Sequence, residues 1–344
     1  MKNGNTSILS IQYLRGIAAI AVLIFHTSET YNAGFRSGAA GVDLFFIISG
    51  VVMWVTTSQR NISPSAFMRR RIIRIVPLYW VATLVTYVCV ILKPNFFYDQ
   101  NPSPTDLLWS LAFLPPLKGG ALHPVVVQGW TLSYEIFFYI IFALTLLSSE
   151  SRRLATCTSF FALAVALHSF APIGYATEFT RPLLFEFVIG LLIGIAWTKD
   201  QLVPTPVATL MVAAGVICLA LDSVLLSEIN RLMRWGIPSA LVVTGLLSIE
   251  RRAALPQLKF LHLLGDASYS IYIWHVLLGT VFIGILLRTG IAASLVPFLT
   301  VFFSVFSALV AHVAIERPLN RFLVAGLGRV LGQVANQSFK QAAG

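Results

Sequence analysis

The chain has 344 residues, 57% of them hydrophobic and 11% charged. A soluble domain carries about 25% charged residues, so this composition, with a mean hydropathy of +0.81, excludes a water-soluble enzyme and makes a bilayer the solvent. The net charge of +10 is then loop charge that sets orientation; membrane lipids are expected as partners and nucleic acid is not.

About ten apolar segments approach the roughly 20 residues that cross a bilayer as helix, near 8–29, 39–58, 75–93, 129–148, 154–171, 181–198, 206–222, 233–249, 265–286 and 292–314. The fold class is therefore all-α, a polytopic membrane protein. One membrane-embedded domain spans 1–316, and a short tail, 317–344, follows. Lys2, the apolar run 16–25 and the small residues at 38–41 mimic a secretory signal. However, Arg15 and His26 flank that run closely and another span follows at once, so the first helix is read as retained. With the N-terminus inside, 16 of the 24 Lys and Arg fall on cytoplasmic segments and 7 outside, which predicts cytoplasmic termini. Cys89, Cys157 and Cys218 lie in apolar runs without metal-ligand spacing. They read as core hydrophobes, and no metal is expected.

Ionisable groups inside a bilayer are costly and mark function. The first span holds Arg15 and His26. Eleven residues at about 100° each come within about 20° of three full turns, so both share a face, about 16 Å apart along the axis. Arg15 either snorkels to the cytoplasmic interface or serves a buried site; His26 is either interfacial or chemical. Asp43 opens the second span at a depth similar to His26. It either orients that imidazole, as a general base requires, or answers the helix macrodipole. Next comes the basic cluster Arg69, Arg70, Arg71 and Arg74, behind a helix start at Ser63-Pro64. Arg70 and Arg71 share a helix face with Arg74. Such a cluster either clamps a polyphosphate bidentately or is topogenic charge.

The longest outside loop, 94–128, is rich in Pro and aromatics and predicts a short helix at 104–113. In the fourth span Thr131, Glu135 and Tyr139 stand at i, i+4 and i+8 on one face, lining a site or gluing helices. Trp130 precedes them. In the ninth span Ser268, Tyr272 and His275 share a face whose aromatic and polar mixture suits a sugar or a hydrated cavity better than lipid. His275 is read as catalytic or structural. His123, His168, His262 and His312 take structural readings, His312 as an i, i+4 partner of Glu316. Glu316-Arg317-Pro318 is expected to end the last helix.

These residues resemble the acyltransferase-3 family of membrane-bound O-acyltransferases. Six motifs carry the resemblance in family order: Arg15 to His26; Gly-Val-Asp-Leu-Phe-Phe-Ile-Ile-Ser-Gly at 41–50; Arg71 to Pro77; Trp130 to Glu135; Ser268 to His275; and Glu316-Arg317-Pro318. The opening Ile11-Gln12-Tyr13-Leu14-Arg15-Gly16 is most similar to the exopolysaccharide O-acetyltransferase branch. The resemblance implies ten helices and transfer of an acyl group from acyl-CoA, usually acetyl-CoA, to a sugar hydroxyl of an exopolysaccharide or lipid-linked oligosaccharide. It places the chain in the bacterial cytoplasmic (inner) membrane, beside polysaccharide assembly machinery. The SGNH hydrolase-like domain of some relatives is not expected here. Arg71 and Arg74, with Arg70, would hold the CoA phosphates; Arg15 would neutralise the thioester oxygen. His26 would be general base or nucleophile, oriented by Asp43 or Glu135, while Trp130, Tyr272 and His275 would meet the acceptor. The rival is a glycolipid transporter or flippase, which also explains intramembrane charge but predicts internal repeats, and no fixed-period repeat is seen.

Overall fold

The computed structural model describes residues 8–31, 34–93, 102–118, 121–170, 179, 181–221, 230–253 and 255–325. Within a bilayer every backbone N–H and C=O must be satisfied inside the protein, and helices do this here. They are α1 Leu9–Thr30, α2 Gly41–Thr57 (entered through a 3-10 turn, Arg36–Ala40), α3 Pro64–Leu92, α4 Pro104–Leu111, α5 Gly129–Thr145 and α6 Glu150–Phe170. There follow α7 Phe185–Thr198, α8 Thr205–Ala220, α9 Ile237–Arg252, α10 Lys259–Asp266, α11 Ser268–Leu286 and α12 Val296–Ala311. A two-residue ribbon, β1 Leu117–Lys118 against β2 Ala121–Leu122, lies between α4 and α5.

Six described helices are long and apolar enough to cross a membrane: Leu9–Thr30, Arg36–Thr57, Pro64–Leu92, Leu232–Arg252, Ser268–Leu286 and Val296–Ala325. Gly129–Thr145, Pro182–Thr198 and Thr205–Ala220 are apolar but shorter. The chain is a multi-pass membrane protein. Phe298, Phe302 and Phe306 form an i, i+4, i+8 stripe on α12, each more than half exposed, as a lipid-facing surface requires.

Helix starts follow local chemistry. Ser63 accepts from the Ala66 N–H, and Pro64 occupies the first turn of α3, where its missing N–H costs nothing. Ser103 and Asp106 form a capping box on α4, inside the expected 104–113. α1 lacks a cap of its own. Glu250 of α9 supplies one, accepting from Leu9 N at 2.8 Å, Ser10 N at 2.9 Å and Ser10 Oγ at 2.5 Å.

Two expectations change. The ninth span begins three residues later than expected, at Ser268; Gly265 and Asp266 instead close α10, and Gly265 packs directly on the Gln12 backbone, where a Cβ would collide. The last helix does not end at Glu316-Arg317-Pro318; it continues to Ala325. A π turn over His312–Glu316 bonds Arg317 N–H to His312 O. It shifts the hydrogen-bond ladder by one residue, so the helix passes Pro318 without the usual break. Of the expected tail, 326–344 lies outside the described residues.

The core lies between α2, α5 and α7. Gly50 and Gly190 let α2 and α7 touch backbone to backbone; a Cβ on Gly190 would run into the Ile47 carbonyl. Phe138 of α5 stacks on Phe187 of α7 with centroids 4.2 Å apart. At one end of the bundle, Glu150 accepts from Ser58 Oγ and Gln59 N, Arg153 donates to Thr57 O, and Arg251 pairs with Asp200. The opposite end carries α4, the ribbon and the C-terminal turns of α1 and α11.

Candidate active site

A chamber lies inside the bundle, lined by Arg15, Ser49, Arg71, Arg74, Glu135, Tyr139, Tyr269 and Tyr272, with Phe45 and Phe46 among its apolar walls. Arg71 and Arg74 are one turn apart on α3, and Arg74 is exposed, so the chamber opens toward the first turns of α3. The Arg71 guanidinium lies over the Phe67 and Tyr139 rings, 5.6 and 5.9 Å from their centroids, and its Nε is buried without a hydrogen-bond partner. Arg70 is exposed and lies outside this lining. Arg15 reaches Gln12 Oε1 at 3.4 Å, and its charged neighbours are Arg74, Glu135 and Glu316. Glu135 accepts from Ser49 Oγ at 2.7 Å and from the Tyr139 hydroxyl. Thr131 Oγ1 meets the Tyr272 hydroxyl at 2.8 Å. The stripe Thr131, Glu135, Tyr139 therefore does line a cavity.

His26 and His275 line a different cavity, a groove of about 1300 Å³ between the C-terminal halves of α1 and α11, with Thr27, Thr30 and Thr280. Their rings face each other, His275 Nε2 lying 3.2 Å from His26 Nδ1. Tyr272 and His275 are one turn apart on α11, rings 5.7 Å apart, so this turn is the wall between chamber and groove. A third cavity of about 1100 Å³, at the same end as the groove, holds Trp130, Tyr134, His123, Arg181, Asn230 and Arg231.

Asp43 is not brought to His26. It is fully buried and accepts two bonds from Arg231, Nε at 3.2 Å and Nη2 at 2.9 Å. A buried carboxylate gains more from a bidentate guanidinium than from a neutral imidazole. Glu186 of α7, also fully buried, stands against Asp43. Arg231 lies 5.8 Å from the Trp130 centroid and 4.8 Å from that of Trp235. Sequence reasoning missed both Glu186 and Arg231. The signal was available for Glu186, a lone carboxylate inside an apolar span, which is the criterion that singled out Glu135.

A second polar cluster lies where α12 meets α10 and α1. Glu316 Oε2 takes bonds from Ser270 Oγ and His312 Nδ1, both at 2.7 Å, and Arg317 Nε reaches His312 Nε2 at 3.1 Å. Asp266 accepts from Gln12 Nε2 at 2.5 Å and lies 3.4 Å from His262 Nδ1. The His312–Glu316 pair is as expected, and His123 lines the third cavity. The His168 side chain lies outside the described residues. Among the described residues no three His, Cys, Asp or Glu side chains converge as a metal would need.

The sequence pattern of the acyltransferase domain family matches residues 8–317. The exopolysaccharide production protein ExoZ of Rhizobium meliloti (strain 1021) is 37% identical over 309 residues, 87% of this chain and 95% of the relative. A putative membrane-bound transacylase, BcsY, of Komagataeibacter xylinus is 26% identical, covering 77% of this chain and 71% of its own. The peptidoglycan O-acetyltransferase OatA of Listeria monocytogenes is 24% identical over 77% of this chain and 48% of its own. No solved structure matches the chain. The chain belongs to the acyltransferase-3 family.

Proposed function

We propose that this chain transfers an acyl group, acetyl in the first instance, from cytoplasmic acyl-CoA to a hydroxyl of an exopolysaccharide, either nascent or lipid-linked. The membrane is the bacterial inner membrane, crossed ten times by a domain spanning 1–316, with both termini cytoplasmic. The observation that carries this reading is a chamber walled by Arg15, Arg71 and Arg74 that stops one helical turn short of an imidazole pair facing the other end of the bundle.

The first turns of α3 form the donor entrance. Arg71 and Arg74, with exposed Arg70 at the rim, hold the CoA phosphates through charge-assisted bonds. The pantetheine arm runs inward along Phe45, Tyr139 and Tyr269. Arg15 meets the thioester oxygen and stabilises the charge that develops there. The acceptor enters from the opposite end, with Trp130 offering a ring face for a sugar. His26 takes the hydroxyl proton, the oxygen attacks the thioester carbonyl carbon, the C–S bond breaks, and CoA leaves as thiolate toward the donor entrance, where water protonates it; His26 then gives its proton to water, which balances the hydroxide formed and restores the neutral base. Glu135, held by Ser49 and Tyr139, offsets one of the three arginine charges, which leaves the chamber net positive for an anionic donor.

Radiolabelled acetyl transfer in membranes tests this. His26→Ala should abolish transfer; wild-type transfer in that variant ends the assignment. An Arg71/Arg74 double Gln variant should raise the acyl-CoA KM by ~10²-fold or more, at ~1.5–3 kcal/mol per charged hydrogen bond lost. An unchanged KM removes the clamp.

A further inference from the structure

We infer that His275 is the positioning residue of His26: a neutral imidazole, not a carboxylate, fixes the tautomer of the base and steadies its cation. This rests on the acyl-transfer reading above. It removes His275 from the set of acceptor contacts.

The starting observation is what His26 lacks. Asp43 is committed to Arg231 in a bidentate pair, and Glu135 to Ser49 and Tyr139. On α1 itself the nearest charge is Glu29, exposed on the next turn. Arg288, just past the end of α11, also lines the groove. Among the described residues, the polar side chain within hydrogen-bond reach of the His26 ring is His275, which is 1% exposed.

The hydrogen bonds fix both tautomers. His275 Nδ1 lies 2.6 Å from the Tyr272 carbonyl oxygen, which can only accept, so Nδ1 carries the hydrogen and Nε2 is a lone pair. That lone pair lies 3.2 Å from His26 Nδ1, which also lies 2.9 Å from the Val22 carbonyl oxygen. Both neighbours of His26 Nδ1 are acceptors, so it carries the hydrogen and shares it between them. The free lone pair of the dyad is then His26 Nε2, to which no described residue donates. His275 has no ring nitrogen left for a sugar.

The chemistry follows. When the acceptor O–H breaks, its proton goes to His26 Nε2 and the oxygen keeps the electron pair for the thioester carbon. The Nδ1–H bond to His275 then becomes charge-assisted and strengthens. A neutral partner gives this support without the cost of a second buried charge. The proton stays on His26 until it leaves from Nε2 to water, because the other end of His275 meets a carbonyl oxygen, too weak a base to take the Nδ1 proton onward. His275 therefore orients and does not relay.

The test uses the full-length protein in detergent with His275→Gln, whose amide oxygen can still accept, and His275→Leu, which cannot. Replacing His275 by Leu should lower kcat about 10²-fold, the lower range of a general base's contribution, with both KM values unchanged. The acid limb of the kcat/KM profile should move to lower pH, because the His26 cation loses its acceptor. The Gln variant should recover to within about tenfold of wild type, an amide oxygen being a comparable acceptor, with the limb restored. Unchanged kcat in the Leu variant, or a raised acceptor KM at unchanged kcat, overturns the inference. Ring-nitrogen NMR of 15N-histidine protein, assigned by the His26→Ala difference spectrum, gives a readout free of turnover. Nδ1–H at His26 in wild type supports the inference and Nε2–H overturns it, even where the Leu variant does not fold. The two readings fail separately: transfer by His26→Ala sinks the acyl-transfer assignment, whereas an inactive His26→Ala beside an indifferent His275→Leu sinks only this one.

Discussion

Replacing Asp43 by Asn should destabilise the protein rather than disable a base. Asp43 is completely buried, the Arg231 side chain is 34% exposed, and the two meet at 2.9 Å. Removing one partner of a buried pair costs about 3–5 kcal/mol; water reaches Arg231 and takes up part of that, leaving ~2–3 kcal/mol. Arg231→Gln should cost about the same, since it leaves Asp43 beside Glu186 with no counter-charge. The double variant places two neutral amides face to face and should be little worse than either single change. A double-mutant cycle on unfolding in mixed micelles should therefore give a coupling of ~2 kcal/mol. A coupling under ~0.5 kcal/mol refutes the pair. So does an Asp43→Asn protein as stable as wild type but slow in transfer, which would restore Asp43 to the chemistry of His26.

Gly190→Ala should cost ~1–3 kcal/mol, the usual cost of overpacking, because its methyl meets the Ile47 carbonyl where α2 and α7 touch; the same mixed-micelle unfolding reads it, and an unchanged midpoint contradicts that contact. Glu250→Ala should lose ~1–2 kcal/mol, the upper range for a helix cap, since α1 has no cap of its own; hydrogen exchange at Leu9 and Ser10 should quicken while that at Val22 holds.

What could be read from the sequence was local. Six of the ten expected spans follow from hydropathy, the α3 start from Ser63-Pro64, the α4 start from Ser103 and Asp106, and the chamber face of α5 from the spacing of Thr131, Glu135 and Tyr139. What escaped were the partners. Arg231 is 188 residues from Asp43, and His275 is 249 from His26; no helical period relates such pairs. Equal depth on adjacent helices was a sound reason to join His26 to Asp43, but depth leaves rotation free. The 3-10 turn Arg36–Ala40 leads into α2 with Asp43 turned toward α7 and Arg231. The passage of the last helix through Pro318 was equally hidden, because it depends on one π turn and not on composition.

The wall between chamber and groove bears on how the membrane stays charged. Polar hollows entering a bilayer from both sides invite ion and water leakage. Among the described residues, chamber and groove share no lining residue. The Tyr272 hydroxyl is tied to Thr131, its ring meets Phe45 edge-on at 5.3 Å, and His275 closes the next turn. A shell of three rings thus insulates one compartment from the other. For the proposed transfer to run between them, these rings must move aside when the acceptor oxygen meets the donor carbonyl carbon and close again afterwards.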